Sequence, residues 1–296
     1  MGRATSGYSS CVNPVGKALW FIESHFAQEI TLEDIAGAAG VSRYHLSRVF
    51  GLATGWSIQQ YVRGRRLTEA ARSLAQGAPD ILTVALDAGY GSHEAFTRAF
   101  REQFGVTPEM LRAQGDLHGI ELKEPIKMDE TLLTEVNAPR FEALKEMLIA
   151  GLKERYDGET CARIPAQWQK FAPHLRNIPG QIGRVAYGVL CNGDDAGNIE
   201  YISGVEVPDF SRVPAEYSRL RIPEQRYAVF FHAGHVSAIR RTWFTIWNKW
   251  FPDSGYESTG GPEFERYGEE FDGVSGNGGV GIWIPVRAEG VTRSAP

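Results

Sequence analysis

From residue 14 to residue 114 apolar positions recur three and four apart, the period of helices that bury one face. Beyond residue 130 the pattern changes to short alternating or continuously apolar runs, as strands require. Within the helical region a single unit occurs twice. Ile35-Ala36-Gly37-Ala38-Ala39-Gly40-Val41-Ser42 returns in outline as Val84-Ala85-Leu86-Asp87-Ala88-Gly89-Tyr90-Gly91-Ser92, after which Arg48 matches Arg98, Phe50 matches Phe100 and Gly55 matches Gly105. Each copy predicts a short apolar helix, a glycine turn at Gly40 or Gly89, and a second helix capped by Ser42 or Ser92, the grammar of a helix-turn-helix. An ordinary amphipathic pair accounts for one such match, but not for two in register. In the first copy Leu46, Val49 and Phe50 form the inner face and Arg43, Tyr44, Ser47 and Arg48 the outer one. In the second, Phe96, Ala99 and Phe100 are inner, and His93, Glu94, Thr97, Arg98 and Arg101 point out. A long helix from Ser57 to Ala75, carrying Tyr61, Arg63, Arg65, Arg66 and Arg72, joins the copies.

Gly55-Trp56-Ser57, Tyr61-Val62, Arg66-Leu67 with Ala70, Ala88-Gly89-Tyr90, Phe96, Arg98, Phe100 and Phe104-Gly105-Val106-Thr107-Pro108 stand in an order that resembles the DNA-binding module of AraC/XylS-type regulators. The resemblance covers about residues 14 to 114 and implies two recognition helices entering successive major grooves of promoter DNA. Carried over by position, Tyr44, Ser47 and Arg48, then His93, Glu94, Thr97 and Arg98, would face bases. Arg48 and Arg98 suit guanine O6 and N7, Ser47 and Thr97 give weaker contacts, and Glu94 suits cytosine N4. Arg43 adds a donor to the first outer face. Arg63, Arg66 and Arg101 are candidates for phosphate contact, with a structural ion pair as the equal alternative.

Charge first argues against nucleic acid, since the whole chain carries −5. The average hides an asymmetry: residues 1 to 115 hold eleven Lys/Arg, ten of them arginine, against ten Asp/Glu, while the remainder holds twenty against twenty-six. Arginine's planar fork matches phosphate and guanine edges. With 43% hydrophobic and 23% charged residues and no apolar run of membrane-spanning length, the chain reads as a folded protein without a membrane partner. Residues 1 to 13 lack a signal-peptide core, so a cytoplasmic location is expected. Cys11, Cys161 and Cys191 fit neither a disulfide framework nor a zinc spacing.

The periodic pattern stops between Leu111 and Pro125, which predicts a linker over 116–126 between a DNA-binding domain at 14–115 and a second domain at 127–288, with flexible ends at 1–13 and 289–296. Strands are expected at Thr131–Val136, Val185–Leu190, Ile199–Val207, Arg219–Ile222, Tyr227–His232 and Gly279–Val286, and helices at Cys161–Leu175 and Ser237–Trp250. The overall class is multidomain: an all-α double helix-turn-helix followed by an α+β domain of two pseudo-symmetric halves. Alternation puts Glu206 and Trp283 on corresponding faces of the two halves, where they are expected to share one cavity. Trp243, Trp247 and Trp250, at helical spacing, read as core.

Ile164-Pro165-Ala166-Gln167-Trp168 with Phe171, Tyr227-Ala228-Val229-Phe230-Phe231-His232, Gly261-Pro262-Glu263-Phe264-Glu265-Arg266-Tyr267 and Ile282-Trp283-Ile284-Pro285 resemble the GyrI-like effector-binding domain found in some regulators of the same kind. The resemblance implies a small-molecule effector, cationic or aromatic, bound among Trp168, Phe171, Tyr187, Glu206, Glu265, Tyr267 and Trp283. Members often carry an acidic residue just before the last strand, where this chain has Gly281, so Glu206 or Glu265 must supply any charge selection. Against an enzyme, His232 and His235 lack a third metal ligand, the glycines from 273 to 281 open no helix, and no nucleophile elbow is present. No cofactor, metal or catalytic residue is expected. The reading is a sequence-specific, ligand-modulated transcription regulator that meets RNA polymerase if it activates. The alternatives are a ligand-sequestering protein, or a GyrI-like hydrolase using Glu206 with Glu265 or Tyr267 behind a DNA-binding module.

Overall fold

The computed structural model describes residues 13–78, 80–126, 133–158 and 160–288. The ends expected to be flexible, with Cys11, lie outside the described residues but for Asn13. Seven helices come first: α1 (Pro14–His25), α2 (Leu32–Ala39), α3 (Arg43–Thr54), α4 (Ile58–Ala75), α5 (Ile81–Asp87), α6 (His93–Phe104) and α7 (Pro108–Gln114). The caps anticipated from the repeat are in place. Ser42 and Ser92 each accept a backbone N–H at 3.2 Å, from His45 and Ala95, which satisfies a donor the helix start would otherwise leave free. Gly40 and Gly89 turn with φ of +73° and +81°, a region costly for any residue with a Cβ.

Two apolar cores result, and α4 feeds both. Ile58, Tyr61 and Val62 join Val15, Leu19, Ile22, Ile35, Leu46, Val49 and Phe50 in the first, while Leu67, Ala71 and Leu74 join Val84, Ala85, Phe96, Phe100 and Leu111 in the second. Buried Arg65 ties the module together: it bonds Glu23 of α1 through Nε and Nη2, both at 3.0 Å, and donates to the Lys123 carbonyl at 2.8 Å. The segment after α7 is therefore no free tether up to residue 126. Lys123 N–H donates to Thr68 Oγ1 and Ile126 N–H to the Tyr61 hydroxyl, and Arg72 pairs with Glu124, so this stretch runs strapped along α4.

The C-terminal half is antiparallel: β1 (Arg140–Leu144), β2 (Met147–Tyr156), α8 (Ile164–Phe171), β3 (Ala186–Cys191), β4 (Ile199–Val207), β5 (Ser218–Ile222), β6 (Gln225–His232), α9 (Ile239–Thr245), α10 (Phe251–Ser254), β7 (Tyr256–Ser258), β8 (Glu263–Tyr267) and β9 (Val280–Ala288). The sheet runs β1-β6-β9-β8-β3-β4-β2-β5, with short β7 on β9. Its two halves correspond, β3-β4-β2 with α8 on one side and β8-β9-β6 with α9 on the other, and they meet at the β3–β8 seam, where Gly188 stands opposite Glu265. Thr131–Val136, expected as a strand, lies partly outside the described residues, and 133–136 is not extended into the sheet. β1, β2, β7 and β8 were not anticipated as strands.

Both faces of the sheet are covered. One face packs against α8 and α9. On the other, Leu144, Met147, Ile149, Val189, Ile202, Leu220, Ile222, Val229, Phe264 and Trp283 from all eight strands of the main path meet in one cluster, so the sheet curls around its own side chains. Between α9 and α10 the chain makes a five-residue π turn, Ile246–Trp250, a widening that often marks a functional position.

Candidate effector cavity and DNA-reading helices

A cavity of about 890 Å³ opens on the helix-bearing face of the sheet, beside the seam. Glu265, from β8, is held there by three side chains. Trp243 Nε1–H of α9 donates to Glu265 Oε1 at 2.9 Å, and the Tyr201 and Tyr267 hydroxyls both donate to Oε2 at 2.8 Å. Trp168 of α8 donates its Nε1–H to the Tyr201 oxygen at 2.9 Å and stands edge-on to Tyr267, centroids 4.9 Å apart. Burial, then the Glu265 charge, pushes both phenols well above their ordinary range, so they remain protonated donors. Gly188 makes this possible, because a Cβ there would lie 2.0 Å from the Tyr201 hydroxyl. Buried Gln167 anchors α8 to the sheet, donating to the carbonyls of Leu152 (2.7 Å) and Tyr201 (3.1 Å).

The cavity's other wall comes from the DNA-binding half. Tyr44, Ser47, Arg48, Gly51 and Leu52 of α3 line it. Arg48 Nη2 donates to Glu263 Oε2 at 3.0 Å and the Tyr44 hydroxyl to Oε1 at 2.7 Å; the Glu263 side chain is fully buried and that of Arg48 is 11% exposed. His45 Nε2–H donates to the Trp247 carbonyl in the π turn at 2.5 Å, and burial brings its pKa down to about 4. Arg240 of α9 donates to the carbonyls of Gly51 and Leu52, both at 3.1 Å. Close backbone approach completes the joint, since a Cβ on Gly158 would fall 2.4 Å from the Gly55 carbonyl oxygen. By contrast, α6 is open: Glu94, Arg98 and Arg101 are exposed, and His93 bonds Glu109 at 3.0 Å.

The description "GyrI-like small molecule binding domain" matches residues 137–287, just over half the chain, and "Helix-turn-helix domain" matches 35–114. The chain belongs to the AraC-type regulators that carry a GyrI-like domain. The Right origin-binding protein of Escherichia coli K12 is 26% identical over 285 residues, covering 91% of this chain and 96% of that protein. Transcriptional regulator BrlR of Pseudomonas aeruginosa is 27% identical over 212 residues, 65% and 77% of the two chains. Among solved structures, SAV2435 bound to tetraphenylphosphonium is similar at a TM-score of 0.44 and 20% identity, covering 52% of this chain and 94% of that one. The double helix-turn-helix, the α+β class and the role of DNA-binding transcription regulator stand as expected from the sequence.

Within the GyrI-like domain the expected pocket is only partly assembled. Trp168, Glu265 and Tyr267 line the cavity. Phe171 does not; at the end of α8 it is buried against Val205 and Val207 of β4. Tyr187, Glu206 and Trp283 lie on the opposite face of the sheet, so the expectation that Glu206 floors the cavity with Trp283 opposite is corrected. Glu206 and Trp283 do share a face of the sheet, but it is the one turned into the curl, where the Tyr187 hydroxyl reaches Glu206 Oε2 at 3.3 Å. Alternation says which residues share a face, not which face carries the helices. Tyr201 and Trp243 were missed as cavity residues: Trp243 is core, as its spacing suggested, yet its indole N–H is spent on Glu265.

In the AraC-type module the first outer face is not free. Tyr44, Ser47 and Arg48 are turned into the cavity wall, and only Arg43 of that set is exposed, pairing with Glu33 at 3.2 Å. Thr97 is half-buried and its hydroxyl is sealed, without a partner among the described residues. Arg63 pairs on the surface with Glu102. Arg66 donates to the carbonyls of Phe26 and Gln28, both at 2.6 Å, where it closes the end of α1. His232 and His235 do not converge: His232 bonds Thr242 and the His235 carbonyl, while His235 bonds Ser237. No described helix is long and apolar enough to cross a membrane.

Proposed function

We propose that this chain is a cytoplasmic, ligand-modulated regulator of promoter DNA whose cavity takes a bulky aromatic cation on Glu265. The observation that carries this reading is the carboxylate itself. It sits among rings at a cavity wall, 6% exposed, with three neutral donors, and no ion pair among the described residues involves it. A buried anion held only by neutral groups keeps an unspent attraction for positive charge, and indole and phenol faces add to it. Exposed Arg98 and Glu94 are the base readers of α6, and Arg101 its phosphate contact. Sensing is favoured over hydrolysis because Glu206 and Glu265, the pair an acid–base hydrolase would use, stand on opposite faces of the sheet. RNA polymerase is the further partner if the regulator activates.

Titration of the full chain with tetraphenylphosphonium, followed by tryptophan fluorescence, tests the cavity. Saturable binding that weakens roughly tenfold or more in Glu265→Gln is expected, since a charged hydrogen-bonding group is worth about 1.5 to 3 kcal/mol. Equal affinity in wild type and Glu265→Gln refutes charge selection by this residue.

A further inference from the structure

We propose that Arg48 is an internal rival of the effector, so that a cation entering the cavity drives α3 out of the GyrI-like domain and frees the first reading helix for DNA. This rests on the cation-binding reading of the cavity given above.

The guanidinium stands where a cationic ligand would meet it. Its carbon lies 5.6 Å from the centroid of Trp243, the same indole whose N–H holds Glu265, and Nη2 is paired with buried Glu263. α3 therefore offers the aromatic cavity a cation of its own. Occupancy of the wall and of a major groove exclude each other, because the residues placed in the wall, Tyr44, Ser47 and Arg48, are those the helix-turn-helix would turn toward bases. The docked state is also incompletely satisfied: Arg48 Nε and Ser47 Oγ are buried with no partner among the described residues, which lowers the cost of undocking. Among the described residues no such cover lies over α6, whose cations Arg98 and Arg101 are exposed. At rest the regulator shows DNA one reading helix of its two.

A second positive charge against Trp243 and Glu265 would stand about 6 Å from the guanidinium, and at an effective dielectric of ~20 that repulsion shifts docking by roughly a hundredfold. Reciprocity follows, since DNA that captures α3 raises the affinity of the cation by the same factor.

The test uses the full chain, tetraphenylphosphonium with neutral triphenylphosphine oxide as control, and a duplex selected from random sequence by the chain at saturating cation. With the cation, DNA binding should tighten roughly ten- to a hundredfold and the footprint should lengthen to take in a second half-contact; the neutral control should do neither. Arg240→Ala, which removes the bonds to the Gly51 and Leu52 carbonyls from the exposed side, should tighten DNA binding without cation and shrink the cation's increment. Glu263→Gln should do the same more strongly. Saturable cation binding with unchanged or weakened DNA affinity overturns the rivalry and leaves the effector reading standing. Absence of cation binding overturns both. Folded Arg240→Ala and Glu263→Gln variants with wild-type DNA affinity show that docking of α3 does not restrain it.

Discussion

Gly188→Ala is the most economical probe of the Glu265 site, because it adds one methyl group and removes nothing. The added carbon would lie 2.0 Å from the Tyr201 hydroxyl oxygen, 2.8 Å from its ring carbon and 2.9 Å from Glu265 Oε2. Gly188 is on the central strand β3, hydrogen-bonded on both sides, so the backbone cannot yield and the phenol must. To restore even a tight contact the hydroxyl has to retreat by about 1 Å, which carries its 2.8 Å bond to Glu265 beyond the roughly 3.2 Å limit of a good hydrogen bond and strips Trp168 of its acceptor. One charge-assisted and one neutral hydrogen bond are lost inside a packed site, costing roughly 2 to 4 kcal/mol. For a domain of this size that corresponds to a fall in Tm of about 5 to 15 °C. Differential scanning calorimetry measures it, and a double-mutant cycle identifies the cause. In a Tyr201→Phe background the hydroxyl is absent, so the added cost of Gly188→Ala should shrink by at least half. A silent Gly188→Ala, or costs that simply add in the double mutant, would mean that the glycine does not make room for this hydroxyl.

His45 takes up a proton far more readily once it leaves the buried site against Trp247. Its pKa is depressed from an ordinary 6.5 to about 4, so docking is at full strength above pH 6.5 and weakens as pH falls toward 4, reaching roughly thirtyfold at pH 5. The imidazole midpoint read by nuclear magnetic resonance should lie below 5 in the full chain, and a midpoint near 6.5 contradicts its burial against the π turn. On α6, Arg98→Ala should relax preference at one base position at a cost of about 1 to 3 kcal/mol, checked by binding-site selection. A uniform, sequence-blind loss would reassign Arg98 to phosphate.

What could be read from the chain depended on whether a contrast survives folding. The helix-turn-helix units were legible because serine caps, glycine turns and an apolar stripe recur forty-nine to fifty residues apart, and each acts locally. β4 was placed to the residue at Ile199–Val207, but the side of the sheet bearing its ligand face was not. Six consecutive residues of β3 are buried, so the polar–apolar contrast that would orient a sheet is absent where the sheet covers both faces. Thr131–Val136 drew attention in place of β1 and β2, where Lys153, Glu154 and Arg155 interrupt the apolar rhythm at the end of a long strand. The pairing of Arg48 with Glu263 spans 215 positions. Each residue has an ordinary local explanation, an outward arginine on a helix and an acid after a Gly-Pro turn, and only tertiary structure makes them partners.

The strand order has a bearing on how copies of this chain meet. β1 and β5 end the sheet, and an uncovered strand edge invites another strand to extend it. Both ends are guarded. β1 carries exposed Arg140 paired with half-buried Glu142, β5 carries exposed Arg219 and Arg221, and Glu146 beside the sheet is paired with Arg221. A newcomer adding itself to either edge would have to lie against charged side chains that now sit in water. The sheet is thus self-limiting, and concentrated protein is protected from growing edge to edge into fibres, even though its interior is rich in the β-branched and aromatic residues that such growth favours.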